Sequence, residues 1–187
     1  MTKFPRNASG FTLVEMLMTL AVLGVVCAVA VGMTASLVNS TKADSAVVST
    51  LTAVELARDR AIGERRDFRL VFTPPNIIQI LRIEVPGPAT TTVLNTVLDG
   101  GLTYMKFTGI PDTPDAFGAS SAISFGVTPT IEFTSDGSLL DSSGDPINGT
   151  VFFGEPARSS SARALTIFGA TGLVHGWKWD GIRWLGQ

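Results

Sequence analysis

The sequence predicts an α+β protein in which a long N-terminal helix, first membrane-spanning and then amphipathic, packs on a C-terminal all-β domain. Residues 16–41 form a run of 26 positions without a charge. No proline interrupts residues 6–73, and apolar residues in the second half of this stretch recur every three or four positions. From Asp67 onward, short runs of β-branched and aromatic residues alternate with Gly, Pro, Asp and Ser.

Length and composition limit the possible architectures. A chain of 187 residues with 45% hydrophobic content is sufficient for one domain of moderate size and an appendage. Cys27 is the only cysteine, so the chain cannot form an intramolecular disulfide. The 16 acidic and 14 basic residues are spread along the chain, and the net charge is −2. This balance argues against a nucleic-acid binder that relies on overall charge.

The uncharged run is long enough to cross a bilayer, because a membrane-spanning helix needs about 20 apolar residues. Lys3 and Arg6 precede the run, so the positive-inside rule predicts a cytoplasmic N-terminus. The chain after about residue 40 is then expected on the far side of the inner membrane.

Two other interpretations of this segment remain open. In a secreted β domain, Lys3 and Arg6 would begin an ordinary signal peptide that is cleaved after Ala30. That interpretation leaves a carboxylate, Glu15, inside the apolar region, where it is costly. A lipid anchor on Cys27 would require a small residue before it, and Val26 is not small.

The stretch SGFTLVE, residues 9–15, resembles the processing motif of type IV prepilins and type II secretion pseudopilins. The resemblance implies that a membrane-embedded prepilin peptidase cuts after Gly10 and methylates Phe11, so residues 1–10 form the leader. It also implies that Glu15 gains its partner only on assembly, when it pairs with the N-terminal amine of a neighbouring pilin. The alternative is an interfacial glutamate without a partner.

The amphipathic part of the helix follows the apolar run. One helix is expected from Phe11 to Ile62, about 78 Å long at 1.5 Å per residue, with Gly63 as its first plausible stop. We divide the helix at residue 38 into a transmembrane part, 11–38, and an amphipathic extension, 39–63. Its predicted buried positions are Ala43, Val47, Leu51, Val54, Ala57 and Ala61.

Residues 64–187 are expected to form the β-rich globular domain. Its predicted strands are DFRLVF, NIIQILRIE, LTYMKF, AISFGV, TIEFT, TVFFGE, ARALTIFG and LVHGWKW. Residues 109–121 are rich in Pro, Gly and Ala and are predicted to be an exposed loop. The stretches ELARDRAIGERRDFRLVF, IEFTSDGSLL and ARALTIFGATG resemble the GspH/FimT-type minor pseudopilins, which implies that the domain contains two antiparallel sheets on the helix.

Residues for catalysis are scarce, so we expect no enzyme activity, no cofactor and no metal site. His175 is the only histidine, and a lone histidine in a strand is more often structural. Asp136, Asp141 and Asp145 lack the spacing of an EF-hand loop and are interpreted as a solvated turn. Arginines near the helix end, from Arg58 to Arg69, alternate with acidic residues and are expected to be locally paired.

The C-terminus, WKWDGIRW, contains an Asp-Gly pair typical of a two-residue hairpin turn. That turn would place Lys178 opposite Arg183, with the tryptophans together on the other face. An anionic partner would relieve the repulsion of the two cations, and exposed tryptophans could stack on DNA bases. The residues of this possible DNA or protein contact are Lys178, Arg183, Trp177, Trp179 and Trp184.

Some FimT-type pilins bind DNA through a Gly-Arg-x-Arg motif, but the corresponding stretch here, from Gly172 to His175, lacks both arginines. We therefore predict a minor pilin or pseudopilin of a type II secretion pseudopilus or a type IV pilus. Its expected partners are other pilins through the N-terminal helix, the prepilin peptidase and the inner membrane. A DNA-binding minor pilin for natural transformation and a secreted β domain are the alternatives.

Overall fold

The structure is a computed structural model that describes residues 11–126, 130–141 and 143–187; the side chains of residues 31–37 and 99 lie outside this description. Gly10 and the rest of the predicted leader also lie outside the described residues. The chain divides into two compact units, Met1–Val38 and Asn39–Gln187, which are considered separately.

Helix α1, Leu13–Glu64, contributes residues to both units. It ends two residues later than predicted, because Gly63 is still helical and Arg65 adopts the left-handed conformation, with φ of 49°. The backbone N–H of Arg66 donates to the carbonyl of Ala61 at 3.2 Å. This reversed bond over the last turn is the Schellman arrangement that ends many helices.

The part of α1 in the first unit contains a candidate membrane span. Residues Leu13–Ala30 have a mean hydropathy of 2.4 over 18 residues, and all of them are exposed. By length and composition this segment can cross a bilayer.

The part of α1 in the second unit carries an apolar stripe that faces the β domain. Five of the six predicted positions are fully buried and Leu51 is half-buried. Ala46, Thr50 and Ala53 extend the stripe. Most of these side chains are small, so strands can approach the helix closely: a Cβ at Gly176 would lie 3.0 Å from Val47. The helix is therefore part of the core of the globular unit.

The described part of the β domain forms two antiparallel sheets, as the resemblance implied. The first has the order β3-β2-β1-β6-β7, and the second has the order β11-β10-β9-β8-β4, with β5 also paired to β8. The strands are β1 Phe68–Thr73, β2 Ile77–Ile83, β3 Thr90–Val97, β4 Thr103–Tyr104, β5 Ile123–Ser124, β6 Thr130–Phe133, β7 Leu139–Leu140, β8 Gly149–Gly154, β9 Arg163–Phe168, β10 Leu173–Trp179 and β11 Trp184–Gly186.

Both sheets contribute to the core that covers the helix. Alternate residues of β1, Phe68, Leu70 and Phe72, are buried, as expected for a strand with one face on a core. Leu165 and Ile167 of β9 belong to the same cluster as the buried alanines of α1. Packing against the helix thus brings one face of each sheet into a common apolar interior.

Several sequence-based predictions about the β domain need correction. Strand β3 was not predicted, because Thr90–Val97 lacks the aromatic residues and the apolar alternation that identify the other long strands. Among the described residues, the predicted strands LTYMKF and AISFGV shrink to two residues each, β4 and β5, and Val127 of the second lies outside the described residues. Residues 109–121 do lack helix and strand, but Ile110 and Thr113 are buried, so this loop is not simply exposed.

Candidate functional site

Two residues of the N-terminal motif, Thr12 and Glu15, form reciprocal hydrogen bonds at the start of α1. The backbone N–H of Glu15 donates to the Thr12 hydroxyl oxygen at 3.2 Å, and the backbone N–H of Thr12 donates to Oε2 of Glu15 at 3.1 Å. The Thr12 hydroxyl also donates to Oε2, at 3.1 Å. Thr12 and Glu15 therefore form a capping box, which satisfies donors that the first turn of a helix leaves free.

The capping box gives Glu15 hydrogen-bond donors within its own chain, because the carboxylate accepts two hydrogen bonds from Thr12. Both donors are neutral, so the pairing of Glu15 with the N-terminal amine of a neighbouring pilin stays a prediction. Phe11, the residue predicted to become the mature N-terminus, precedes the helix with an 82% exposed side chain.

The C-terminal hairpin has a different register from the predicted one. Trp179 pairs with Trp184, Lys178 with Leu185 and Trp177 with Gly186, so a four-residue loop, 180–183, replaces the two-residue turn. The reason lies in Asp180, whose side chain accepts the backbone N–H groups of Ile182 and Arg183 at 2.8 Å each. An aspartate that caps two N–H groups favours this wider turn.

The tryptophans lie on one face of the second sheet, as predicted, but they are not free for stacking. Trp179 and Trp184 are buried, with ring centroids 5.4 Å apart, and they pack with Ile110 of the loop 109–121. Trp184 Nε1 donates to the carbonyl of Pro111 at 3.0 Å. Half-buried Trp177 donates through Nε1 to the Thr166 hydroxyl at 2.9 Å. The loop therefore covers a small second core rather than leaving an aromatic surface.

His175 contributes to the attachment of the same loop. Its Nδ1 lies 3.2 Å from Oδ2 of Asp115, and that oxygen also accepts a hydrogen bond from the Thr166 hydroxyl. The ring packs edge-on against Phe168, with centroids 5.0 Å apart. These contacts support the predicted structural role of His175, since they join a loop residue to two neighbouring strands.

The two cations of the predicted DNA contact do not form a pair. Lys178 points toward the helix, where Nζ donates to Oγ of Ser40 at 3.2 Å and lies 3.4 Å from Oδ2 of Asp44. Arg183 lies at the tip of the hairpin, 77% exposed, with Nε 3.7 Å from a carboxylate oxygen of Asp180. The predicted Lys178–Arg183 repulsion is therefore absent, and with it the reason to expect an anion between them.

Asp44 of α1 is the point where the C-terminal strands meet the helix. Arg163 of β9, with a fully buried side chain, donates through Nε to Oδ1 at 2.8 Å. Its Nη2 lies 2.7 Å from Oδ1 without hydrogen-bond geometry, so Nε carries the bond. Gln187 donates through Nε2 to Oδ1 at 3.1 Å. Together with Lys178, these residues form a cluster that we call the Asp44 clasp.

The electrostatics of the clasp favour a charged Asp44. Burial alone would raise the pKa of this carboxyl, but hydrogen bonds from Arg163 and Gln187 and the charges of Arg163 and Lys178 outweigh it. The pKa of Asp44 is therefore held below its ordinary value. The Arg163 guanidinium is also satisfied by the carbonyls of Ser160 and Ala162, at 3.2 and 3.0 Å from Nη1.

Three of the five arginines that were predicted to be locally paired, Arg60, Arg66 and Arg69, form ion pairs with carboxylates, whereas Arg58 donates to the carbonyl of Gly137 at 3.3 Å. Glu64 contacts Arg60 at 2.9 Å and Arg82 at 3.2 Å, and Arg82 reaches Glu84 at 2.7 Å. Hydrogen bonds from Arg60 and Arg82 lower the pKa of Glu64. This network is a mutually neutralised surface rather than a free basic patch. Within residues 11–126, 130–141 and 143–187, no group of three or more His, Cys, Asp or Glu could hold a metal ion.

Comparison with known proteins identifies the N-terminal motif. Residues 5–31 match a family model described as the prokaryotic N-terminal methylation motif. The matched segment includes Gly10, Phe11 and Glu15, three of the residues singled out in the sequence. No curated protein matches the whole sequence at a significant level.

Solved structures that match this chain include a minor pilin and a minor pseudopilin. The type IV minor pilin FimU of Pseudomonas aeruginosa is 16% identical and aligns over 72% of this chain and 87% of its own, with a TM-score of 0.50. A second crystal form of FimU gives 0.48. The minor pseudopilin EpsH from the type 2 secretion system of Vibrio cholerae is 13% identical over 78% of this chain and 97% of its own, with a TM-score of 0.47. The likeness to FimU shows that this chain has the predicted pilin-like fold.

The Asp44 clasp leads to a prediction about stability. Asp44→Asn removes the counterion of a buried guanidinium, so the free energy of unfolding should fall by about 2 to 4 kcal/mol. The value is below that of a fully buried pair, because Asp44 is partly exposed. Denaturant unfolding of the full chain in mild detergent measures it. The matched control is Asp59→Asn, an exposed position on the same helix, which should change stability by less than about 0.5 kcal/mol.

The difference in the free energy of unfolding between wild type and Asp44→Asn should change with pH in a defined direction. Because the pKa of Asp44 is lowered on folding, its stabilisation is present above the unfolded pKa, about 3.9, and is lost as pH falls through the folded pKa. The gap between wild type and Asp44→Asn should therefore be constant near neutral pH and shrink below about pH 4. A gap that stays constant through that range would contradict the ionic role of Asp44.

The observed hairpin register predicts different effects on stability for substitutions of Lys178 and Arg183. Lys178→Ala should lower the free energy of unfolding by about 1 kcal/mol, because it removes a charged donor from the clasp. Arg183→Ala should change it by less than about 0.5 kcal/mol, because this side chain is at an exposed tip. Thermal or denaturant unfolding of both variants provides the comparison. Equal effects would argue against the register described here.

Proposed function

We propose that this chain is a minor pilin or pseudopilin of the GspH/FimT type, a structural subunit without catalysis of its own. It would serve a type II secretion pseudopilus or a type IV pilus. One observation carries the proposal: the matched methylation motif lies at the start of an apolar helix whose continuation contributes to the core of a pilin-like domain.

Processing by the prepilin peptidase would cut after Gly10 and methylate Phe11. Phe11 and Thr12 precede the first helical residue, Leu13, so the proposed cut lies outside α1. Cleavage at this position leaves the capping box complete in the mature chain, because the Thr12 N–H belongs to the bond with Phe11. The alternative signal cleavage after Ala30 would cut within a regular helix, which is less favourable for a protease.

Membrane topology follows from charge and hydropathy in this proposal. Lys3 and Arg6 hold the N-terminus in the cytoplasm, and Leu13–Ala30 lies within the inner membrane. The domain after residue 39 would then be periplasmic before assembly. This arrangement places Gly10 on the cytoplasmic side, where the prepilin peptidase acts in the family that the sequence resembles.

Assembly would use the N-terminal helix and the charge of Glu15. An isolated carboxylate in a bilayer is costly, and the capping box reduces this penalty with neutral donors only. The N-terminal amine of a neighbouring pilin would add the missing positive charge. The pairing would fix the register between helices, because only one axial position brings the two charges together.

The alternative of a DNA-binding pilin receives no support from the residues proposed for it. Lys178 is engaged with Asp44, and two of the three tryptophans are buried under the loop 109–121. We therefore do not retain these residues as a DNA contact. Apart from Arg183, which lies exposed at the tip of the hairpin, these residues make their contacts within the domain.

The first experiment concerns processing. The full chain is produced in cells with and without a prepilin peptidase, and its intact mass is measured after detergent extraction. The proposal predicts loss of residues 1–10 and gain of one methyl group, only when the peptidase is present. Gly10→Leu should block the cut. The control Asn7→Leu introduces the same side chain elsewhere in the leader and should not block it. Peptidase-independent loss of residues 1–30 would support the ordinary signal peptide instead.

The second experiment isolates the charge of Glu15. Glu15→Gln keeps an oxygen that can accept the Thr12 N–H, since glutamine also serves in capping boxes, but it removes the charge. We expect normal membrane insertion and a helix that starts at the same residue, with loss of recovery in purified filaments. Immunoblotting of sheared filaments measures this. Glu55→Gln, an exposed carboxylate further along the helix, should be recovered like wild type; equal recovery of both variants would contradict the assembly role.

A further inference from the structure

The C-terminal hairpin ends in an exposed apolar side chain beside an exposed cation. Ile182 exposes 87% of its surface, the highest value among the large hydrophobic residues that the structure describes. The side chain of the next residue, Arg183, is 77% exposed. A single exposed isoleucine is ordinary on a protein surface, but here an apolar group and a cation project from the same four-residue loop. We call Ile182 and Arg183 the hairpin tip.

Asp180 determines which groups this loop presents to its surroundings. Its Oδ1 accepts the backbone N–H groups of Ile182 and Arg183 at 2.8 Å each, so the carboxylate is turned into the loop. The Asp180 side chain is 31% exposed, and its Oδ2 lies 3.7 Å from Nε of Arg183. Among the residues that the structure describes, none accepts a hydrogen bond from the Arg183 guanidinium, and the outward surface of the tip is therefore apolar and cationic.

Contacts with α1 show at which end of the globular unit the hairpin tip lies. A Cβ at Gly172, just before β10, would lie 2.6 Å from Cδ of Arg58. Near the other end of the strand, Lys178 donates to Oγ of Ser40 at 3.2 Å. Arg58 and Ser40 are 18 positions apart on the helix, about 27 Å at 1.5 Å per residue. Strand β10 thus runs antiparallel to α1, and the tip follows Lys178 at the end where the unit begins.

This end of the unit is the one joined to the candidate membrane span. The span ends at Ala30 and the globular unit begins at Asn39. Helix α1 is continuous between them, so the connection is about 14 Å long at 1.5 Å per residue. The headgroup region adds about 5 to 7 Å to each side of the hydrocarbon core of a bilayer. A bilayer that holds the span therefore lies close to the start of the unit.

We propose that the hairpin tip binds the phospholipid headgroup region of the membrane that holds the span, before the subunit enters a filament. Ile182 enters the boundary between headgroups and acyl chains, and Arg183 donates to lipid phosphate. An apolar side chain beside a cation is typical of segments that lie in this boundary. The planar guanidinium also matches phosphate oxygens with two parallel N–H donors. The inference rests on the membrane anchoring in the proposed function.

Position, rather than exposure alone, favours lipid as the partner of the hairpin tip. Val85 is also apolar and 73% exposed, but it follows β2 at the opposite end of the globular unit. Arg82 of β2 contacts Glu64 in the last turn of α1 at 3.2 Å. Glu64 lies 24 positions after Ser40, about 36 Å along the helix. Val85 therefore provides a control that has similar exposure but lies far from the anchored end.

Fluorescence quenching in proteoliposomes tests the proposal. The full chain with Cys27→Ser and Ile182→Cys carries one apolar NBD fluorophore, and the vesicles contain phosphatidylcholine, phosphatidylglycerol and a phospholipid with a nitroxide near its headgroup. The fluorophore at position 182 should be quenched, whereas the same fluorophore on Val85→Cys should not. Adding Arg183→Ala should lower the ratio of bound to free tip about fivefold, the effect of one cation near an anionic bilayer surface.

The native Cys27 lies within the candidate span and provides a separate test of the anchor. With the fluorophore on Cys27, a nitroxide deep in the acyl chains should quench it. If Cys27 is quenched but position 182 is not, or if positions 182 and 85 are quenched equally, the hairpin proposal is overturned while the anchor stands. If Cys27 is not quenched, the proposed anchoring fails and this inference fails with it. Quenching at position 182 that is unchanged by Arg183→Ala and by omission of phosphatidylglycerol would contradict the phosphate contact.

Discussion

The side chain of Arg163 is fully buried, and its charge must be balanced inside the domain. An uncompensated guanidinium in a protein interior is strongly destabilising, so the fold has to deliver an anion to this position. Asp44 is that anion, and it belongs to the helix, whereas Arg163 belongs to β9. The requirement thus connects two parts of the chain that are 119 residues apart, and it selects the axial position at which the second sheet lies on α1.

The same constraint explains why the C-terminus is a structural part of the domain. Lys178 of β10 and the final residue, Gln187, also contact Asp44. Once the inner side of the second sheet is fixed on the helix, its outer side carries Trp179, Trp184 and Phe152. The loop 109–121 covers this outer side, which is why tryptophans that could serve recognition are instead occupied in packing.

The sequence is informative where local pattern decides structure. The apolar stripe of α1 and most strands could be predicted, because periods near 3.6 and 2 reflect burial directly. The capping box was also readable from Thr12 and Glu15, whose spacing is that of the motif. The Asp44–Arg163 pair could not be predicted from the sequence. Asp44 lies on an otherwise polar helix face, so it is interpreted as solvent-exposed until the strand that covers it is known. The hairpin register failed for a related reason: the side chain of Asp180, rather than the Asp-Gly dipeptide, determines the turn.

A double-mutant cycle on Asp44 and Arg163 tests the central claim that this pair holds the second sheet on the helix. The free energy of unfolding is measured for wild type, Asp44→Asn, Arg163→Met and the double variant, all as full chains in the same detergent. If the pair acts as described, each single change is costly and the double variant loses at least about 1 kcal/mol less than the sum, because the second change removes a partner already left unpaired. Losses that add within about 0.5 kcal/mol would show that the two residues act independently and would contradict the account.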